Sequence, residues 1–346
     1  MEGAVRQVEA RHTLRDLTFH GGRLEEAARL FPAAPRPWLD LSTGINPHAW
    51  QPAAPLEIDQ RRLPAADAAA ELCAAAGAAF GFAGALAAVP GSEPGLRLLA
   101  TLDLPRPWQV VTPCYRTHRD ALPGAEPILA GMVEEAAGRG GTMLLANPNN
   151  PDGRLFAPAE LLRIARRLGA QNGMLVVDEA FADAVAGASV LPLIQASDRV
   201  VVLRSFGKFY GLAGVRLGFV GGMPEVVAGI AGWLGSWPVS ATALGYGAAA
   251  YRDAGWAGAM RVQLAAEGAA LDALLAAHGV IATGSCPLFR TVEDDRAPAL
   301  FAHLAAAGIL TRPFDDDPRR LRLGLPGADA ARLAAALACF PEHAGG

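Results

Sequence analysis

Residues 199–222 read RVVVLRSFGKFYGLAGVRLGFVGG. Two short apolar runs, RVVVLRS (Arg199–Ser205) and RLGFVGG (Arg216–Gly222), enclose a turn-rich segment that carries Lys208. Apolar runs of this length, closed by polar or glycine residues, fit strands buried on both faces. Three more runs have the same form: WQVVTP (Trp108–Pro113), TMLLANP (Thr142–Pro148) and GMLVVDEA (Gly173–Ala180). Between them APAELLRIARRLGAQ (Ala157–Gln171) sets Leu161, Ile164, Ala165 and Leu168 on one helical face. Strands alternating with helices predict an α/β fold, a mostly parallel sheet covered on both sides. After about Ser240 the texture shifts to long Ala-rich helices. Shorter strand candidates follow in LFRTVE (Leu288–Glu293) and LRLGLP (Leu321–Pro326), predicting a second, smaller α+β domain.

The 346 residues suffice for one large or two medium domains with a well-buried core. A net charge of −4 and a pI near 6.0 offer no basic footprint, so neither nucleic acid nor an anionic membrane is an expected partner. Cys73, Cys114, Cys286 and Cys339 lack paired spacing. They predict reduced thiols in a cytosol, with no disulfide framework and no metal site. Two uncharged runs, Leu72–Pro90 and Val226–Tyr251, are interrupted by glycine, the second also by Pro238. A membrane span needs about 20 predominantly apolar residues, so packed buried helices joined by turns are expected instead. The N-terminal MEGAVRQVEARHTLRDL mixes charges from the start and has no apolar signal core, which predicts a cytoplasmic protein.

Lys208 is the only lysine in a chain with 30 Lys and Arg residues. A guanidinium stays protonated, whereas an amine can lose its proton, attack a carbonyl and form a Schiff base. Composition does not separate a required amine from a chance survivor, so the neighbours decide. Ser205 and Lys208 also spell the S-x-x-K of penicillin-recognising hydrolases, but those enzymes need a K-T-G element, impossible with one lysine. Asp178 closes MLVVD, Asn150 lies in NPNNPDG, and Arg216 follows Lys208 by eight residues. Singly, these read as a helix cap, a turn and an ion pair. Ligands of open α/β sheets, however, gather at the carboxyl ends of strands, where these residues fall. An amine, a carboxylate able to keep a pyridinium protonated, an amide for a phenolate oxygen, and Ser with Arg for a phosphate describe a pyridoxal phosphate site.

The composite N-P-N-N-P-x-G … D-E-A-[FY] … S-x-x-K … R resembles the fold-type I, aminotransferase class I/II family, from about His20 to the C-terminal region. The resemblance implies a mostly parallel central sheet flanked by helices and a smaller α+β domain. Residues 1–50 would form an arm joining the small domain, 51–240 the large cofactor-binding domain and 241–346 the small domain. It implies that Lys208 binds pyridoxal 5'-phosphate covalently and moves protons at the substrate Cα, while Asp178 pairs with the pyridine nitrogen. Asn150 would reach the ring O3′, and Tyr115 would stack on the ring. Ser205, Arg216 and the backbone of Gly91, Ser92 and Glu93 would hold the phosphate. Arg322 would clamp the substrate carboxylate, and Arg312 is a candidate for a second anionic group. Two departures stand out: Phe181 replaces a tyrosine that reaches O3′, and Leu63 replaces a tyrosine that reaches the partner's cofactor in the implied homodimer, where Arg62 is a candidate substitute.

HGGRLEEAARLF (His20–Phe31) and WLDLSTGINPHAW (Trp38–Trp50) are similar to segments of the L-threonine-O-3-phosphate decarboxylases of cobalamin biosynthesis, a branch of that family. That likeness implies His20, Gly21 and Gly22 near a substrate phosphate, and Gly44, Asn46 and Asn150 among the substrate contacts. The implied reaction is decarboxylation of threonine phosphate to (R)-1-amino-2-propanol O-2-phosphate. The alternatives are a histidinol-phosphate or related aminotransferase, and a cofactor-binding protein without turnover.

Overall fold

The computed structural model of the protein describes residues 17–341, so the N-terminal stretch inspected for a signal core lies outside the described residues up to Asp16. The chain divides into two compact units, residues 48–262 and residues 1–47 with 263–346. The second division falls inside the helix Ala254–Ala277.

Seven strands build the larger unit: β1 (Ala85–Val89), β2 (Trp108–Thr112), β3 (Glu126–Leu129), β4 (Thr142–Ala146), β5 (Met174–Glu179), β6 (Val200–Ser205) and β7 (Gly218–Gly222). Their spatial order is β1-β7-β6-β5-β4-β2-β3. The pairs from β6 through β3 are parallel, and β7 alone runs antiparallel, against both β1 and β6. This is the mostly parallel, helix-flanked sheet expected. Strands β4 and β5 are buried along their whole length, which is why their sequences are continuously apolar rather than alternating. The helix Pro158–Gly169 starts on a proline, where the missing N–H costs nothing, and buries Leu161, Ile164, Ala165 and Leu168.

The run Leu72–Pro90 departs from the packed helices expected of it, because its second half is a strand. The helix Ala66–Phe80 ends at Gly81, which has φ 63°, and Ala85–Val89 forms β1. Alanine-rich strands carry little propensity of their own; β1 forms by pairing along β7, whose small residues accept it. Val226–Tyr251 forms parts of two helices, Pro224–Leu234 and Ala241–Arg252. Among the described residues no helix is long and apolar enough to cross a membrane.

The smaller unit holds an antiparallel sheet in the order Arg312–Pro313, Arg320–Gly324, Phe289–Glu293, Ala282–Thr283. A parallel pair, Leu39–Asp40 with Ile309–Leu310, carries the N-terminal segment into this unit. The Gly324 N–H donates to the Leu41 carbonyl at 2.6 Å and extends that attachment.

Candidate active site

Topology gathers the cofactor candidates of the larger unit. Ser92 follows β1, Tyr115 follows β2, Asn150 follows β4, Asp178 lies at the end of β5, and Ser205 ends β6 with Lys208 in the next turn. Because those strands run parallel, their carboxyl ends share one edge. Antiparallel β7 begins at that same edge, and Arg216 lies two residues before it. Residues scattered over 125 positions therefore converge by sheet direction alone.

Asp178 is 7% exposed, and its Oδ1 accepts the Ala180 N–H at 3.1 Å. Its Oδ2 lies 2.9 Å from Nε2 of His118, a fully buried residue on the helix Arg116–Ala121. Burial by itself disfavours the imidazolium, but hydrogen bonds and charge from Asp178 and Cys114 outweigh it and push the His118 pKa up to about 9. His118 is thus a cation at neutral pH, and it faces the carboxylate from behind.

Gly91 has φ 98°, and a Cβ there would lie 2.7 Å from Nη2 of Arg216. A Cβ on Gly218 would lie 2.6 Å from the Ser92 nitrogen. Two glycines thus bring an amide N–H and a guanidinium onto one small region, the donor set that a phosphate monoester takes. With the buried Asp178 carboxylate, this donor set fits pyridoxal phosphate. The Glu93 side chain is occupied by Arg97 at 2.9 Å and by the hydroxyls of Tyr115 and Thr117, each at 3.4 Å. Lys208 Nζ sits 5.8 Å from the centroid of the Phe181 ring, a side chain without a hydroxyl to offer a cofactor. Asn147 and Asn149 are struts: Asn147 Nδ2 donates to Phe156 and Ala188 carbonyls, and Asn149 Nδ2 to the Pro113 carbonyl. Asn150, 8% exposed, completes the turn.

Sequence reasoning did not single out the charge cluster beside Asp178. Arg204 on β6 is the register partner of Glu179 on β5 and donates to Glu179 Oε2 at 2.8 Å and to Asp183. Its guanidinium also lies 4.2 Å from the Phe80 ring centroid. Burial pushes the Glu179 carboxyl up, against the opposing pull of Arg204, and Ser189 and the Val190 N–H complete its hydrogen bonds. His118 was equally unmarked, since a lone histidine in TPCYRTH has no spacing signal.

The substrate candidates His20, Gly21, Gly22, Gly44, Asn46, Arg312 and Arg322 all belong to the smaller unit. Arg322 is 1% exposed, unlike Arg319, whose guanidinium is solvated against Asp295. Its Nη2 donates to the Ser42 carbonyl at 2.6 Å, and its guanidinium lies 4.9 Å from the Phe289 ring centroid. Arg312, 5% exposed, is the register partner of Arg322 and donates to the Phe19 carbonyl at 3.3 Å. Asn46 is buried, Gly44 has φ 62°, and His20 packs edge-on to Phe19 at 4.4 Å.

Comparison with known proteins gives the family and the fold. A model of the family "Aminotransferase class I and II" matches residues 127–340. The threonine-phosphate decarboxylase of Pseudomonas aeruginosa is 40% identical, over 94% of this chain and 98% of that protein. The threonine-phosphate decarboxylase of a Sinorhizobium species is 41% identical, over 92% and 97%. The fold is shared with the histidinol-phosphate aminotransferase of Sinorhizobium meliloti, solved in complex with pyridoxal-5'-phosphate (TM-score 0.68, 21% identity, 81% and 82% coverage).

Proposed function

This chain belongs to the aminotransferase class I and II family, and from that premise we propose that it decarboxylates L-threonine O-3-phosphate with pyridoxal 5'-phosphate as its cofactor. Identity of 40% and 41% to two threonine-phosphate decarboxylases, over 94% and 92% of this chain, is the observation that carries this reading over an aminotransferase. When bound, the cofactor supplies the electron sink for the bond broken at Cα. Everything else is the work of this chain's residues.

Lys208 is the amine that holds the cofactor and then moves a proton at the substrate Cα. Asp178, backed by cationic His118, keeps a proton on the pyridine nitrogen. Asn150 serves O3′ and Tyr115 the ring face. Ser205, Arg216 and the Gly91–Glu93 backbone take the cofactor phosphate. Arg322 binds the substrate carboxylate through the fork geometry that suits it. His20, Gly21, Gly22, Gly44 and Asn46 serve the phosphate and carboxylate of the substrate, and Arg312 adds a second cation. Decarboxylation would require the carboxylate–Cα bond to be aligned with that electron sink, and the grip of Arg322 on the carboxylate would set its orientation. Carbon dioxide leaves, its bonding electrons stay behind, and a proton replaces it at Cα to give (R)-1-amino-2-propanol O-2-phosphate.

A cytoplasmic homodimer serving cobalamin biosynthesis completes the reading. In support of the dimer, the larger unit exposes Leu63, Trp233 and Trp237, with Trp237 Nε1 donating to the Pro64 carbonyl at 3.3 Å. Large apolar side chains left this exposed are what an association surface would cover. The deciding assay offers threonine phosphate without a keto acid, and the expected result is release of carbon dioxide and an amine. Turnover of histidinol phosphate with 2-oxoglutarate, and none of threonine phosphate, would reverse the assignment.

A further inference from the structure

Within the smaller unit, one buried hydroxyl ties the segment Phe19–Gly22 to the loop that follows Leu39–Asp40. Ser42 is 2% exposed, and its Oγ accepts the Gly22 N–H at 2.8 Å. The same hydroxyl donates to Asp40 Oδ1 at 2.5 Å, and that oxygen also accepts the Ser42 N–H at 2.8 Å. A hydroxyl has one proton and two lone pairs. With its proton committed to a carboxylate, its rotor is fixed and a lone pair is turned toward Gly22. Gly22 itself has φ 82°, a left-handed conformation that this bond holds in place.

The carbonyl of Ser42 has a second duty. It accepts Nη2 of Arg322 at 2.6 Å, and Gly21 packs on it so closely that a Cβ there would overlap it. Arg312 closes the loop, donating to the Phe19 carbonyl while standing in register with Arg322 on the neighbouring strand. The Phe19–Gly22 segment, Ser42, Arg322 and Arg312 therefore form one closed circuit. Neither arginine can shift without pulling on the segment that carries His20.

We propose that Ser42, its hydroxyl set by Asp40, is a positioning residue that couples the His20–Gly22 segment to Arg322, so that the grip on the substrate phosphate and the grip on its carboxylate are set together. This rests on the reading of these residues as the binding groups for a phosphorylated amino acid. Ser42 acts through those groups, so its removal weakens substrate binding more than chemistry.

Two measurements on the holoenzyme test it: steady-state kinetics with threonine phosphate, and hydrogen exchange at residues 20–23 without substrate. Ser42→Ala keeps the carbonyl for Arg322 and loses the acceptor for Gly22. One buried hydrogen bond sets the scale. Ser42→Ala is expected to raise KM and the exchange rate at Gly22 each about fivefold to tenfold, with kcat held within about twofold. Asp40→Asn still accepts the hydroxyl proton and should stay close to the parent in both, while Asp40→Ala should move toward Ser42→Ala. An unchanged KM or an unchanged exchange rate in Ser42→Ala overturns the coupling, as does a loss confined to kcat. Parent enzyme that leaves threonine phosphate untouched defeats the underlying reading instead, and exchange at Gly22 then decides the tie alone.

Discussion

Nε2 of His118 lies 2.9 Å from Oδ2 of Asp178, and both side chains are shut away from solvent. The pair places a cation behind the carboxylate assigned to the pyridine nitrogen, and it gives the fold a pH signature. The His118 pKa, raised from 6.5 to about 9, means the folded protein holds a proton that the unfolded chain releases. Stability from this source is fully present below pH 6.5 and is lost as pH rises through about 9. A shift of this size corresponds to on the order of 3 kcal/mol. Cofactor-free protein should therefore show a falling urea midpoint between those pH values, and His118→Gln should flatten the decline. Equal slopes in the two proteins would remove His118 as its cause.

Arg204 gives a second prediction because its charge has nowhere to go. It is 3% exposed and pairs with Glu179 and Asp183, which are also buried. Removing one partner of such a set leaves an uncompensated charge and costs about 3–5 kcal/mol. Arg204→Met should be destabilised by that amount in denaturant titration. Glu179→Gln keeps an acceptor for Ser189 and removes one stranded anion, so the double variant should be more stable than the two single losses added together. Simple additivity would show that the pair is not coupled.

At Gly91 the test concerns the phosphate of the cofactor. Gly91→Ala forces a residue with φ 98° into a disfavoured conformation and sets a methyl group 2.7 Å from Arg216 Nη2. Gly124 is the control: φ is 78°, with nothing within 4 Å of an added Cβ. Both alanine variants should lose on the order of 1 kcal/mol of stability. Only Gly91→Ala should also weaken cofactor binding in equilibrium titration, by about tenfold or more. Equal affinity in the two variants would place the phosphate elsewhere.

The sheet was legible where burial on both faces wrote continuous apolar runs, as in Met174–Glu179 and Val200–Ser205. It was not legible in Ala85–Val89, whose alanines look helical and become a strand only because β7 pairs with them. The division between units falls inside the helix Ala254–Ala277, and a continuous helix leaves no compositional seam where the texture change after Ser240 suggests one. Lys208, Asp178 and Asn150 stand out because their chemistry needs fixed spacings within a motif. His118, Arg204 and Ser42 act through partners 60, 25 and 20 residues away, in Asp178, Glu179 and Gly22. No local pattern records such a distance. Arg322 was marked by its motif as the carboxylate clamp, and its burial sets it apart from the exposed Arg319 nearby.

Lys208 itself yields the sharpest substitution. Lys208→Arg keeps a positive charge and similar reach but removes the nucleophile, because a guanidinium does not deprotonate in this range. Position 208 sits where Ser205 and Arg216 are assigned to the cofactor phosphate, so the variant should still retain cofactor, releasable by dialysis. Its visible absorption band, which needs a covalent bond from the lysine, should be absent. Turnover of threonine phosphate should fall by roughly a thousandfold or more, since the same amine moves the proton at Cα. Lys208→Ala should lose the band equally, which separates loss of the amine from any clash of the larger guanidinium. A band that survives in both variants would assign the cofactor to some other group. In a chain that uses arginine at 29 of its 30 Lys and Arg positions, Lys208→Arg is the change composition alone would permit, so its failure would isolate the amine as the requirement.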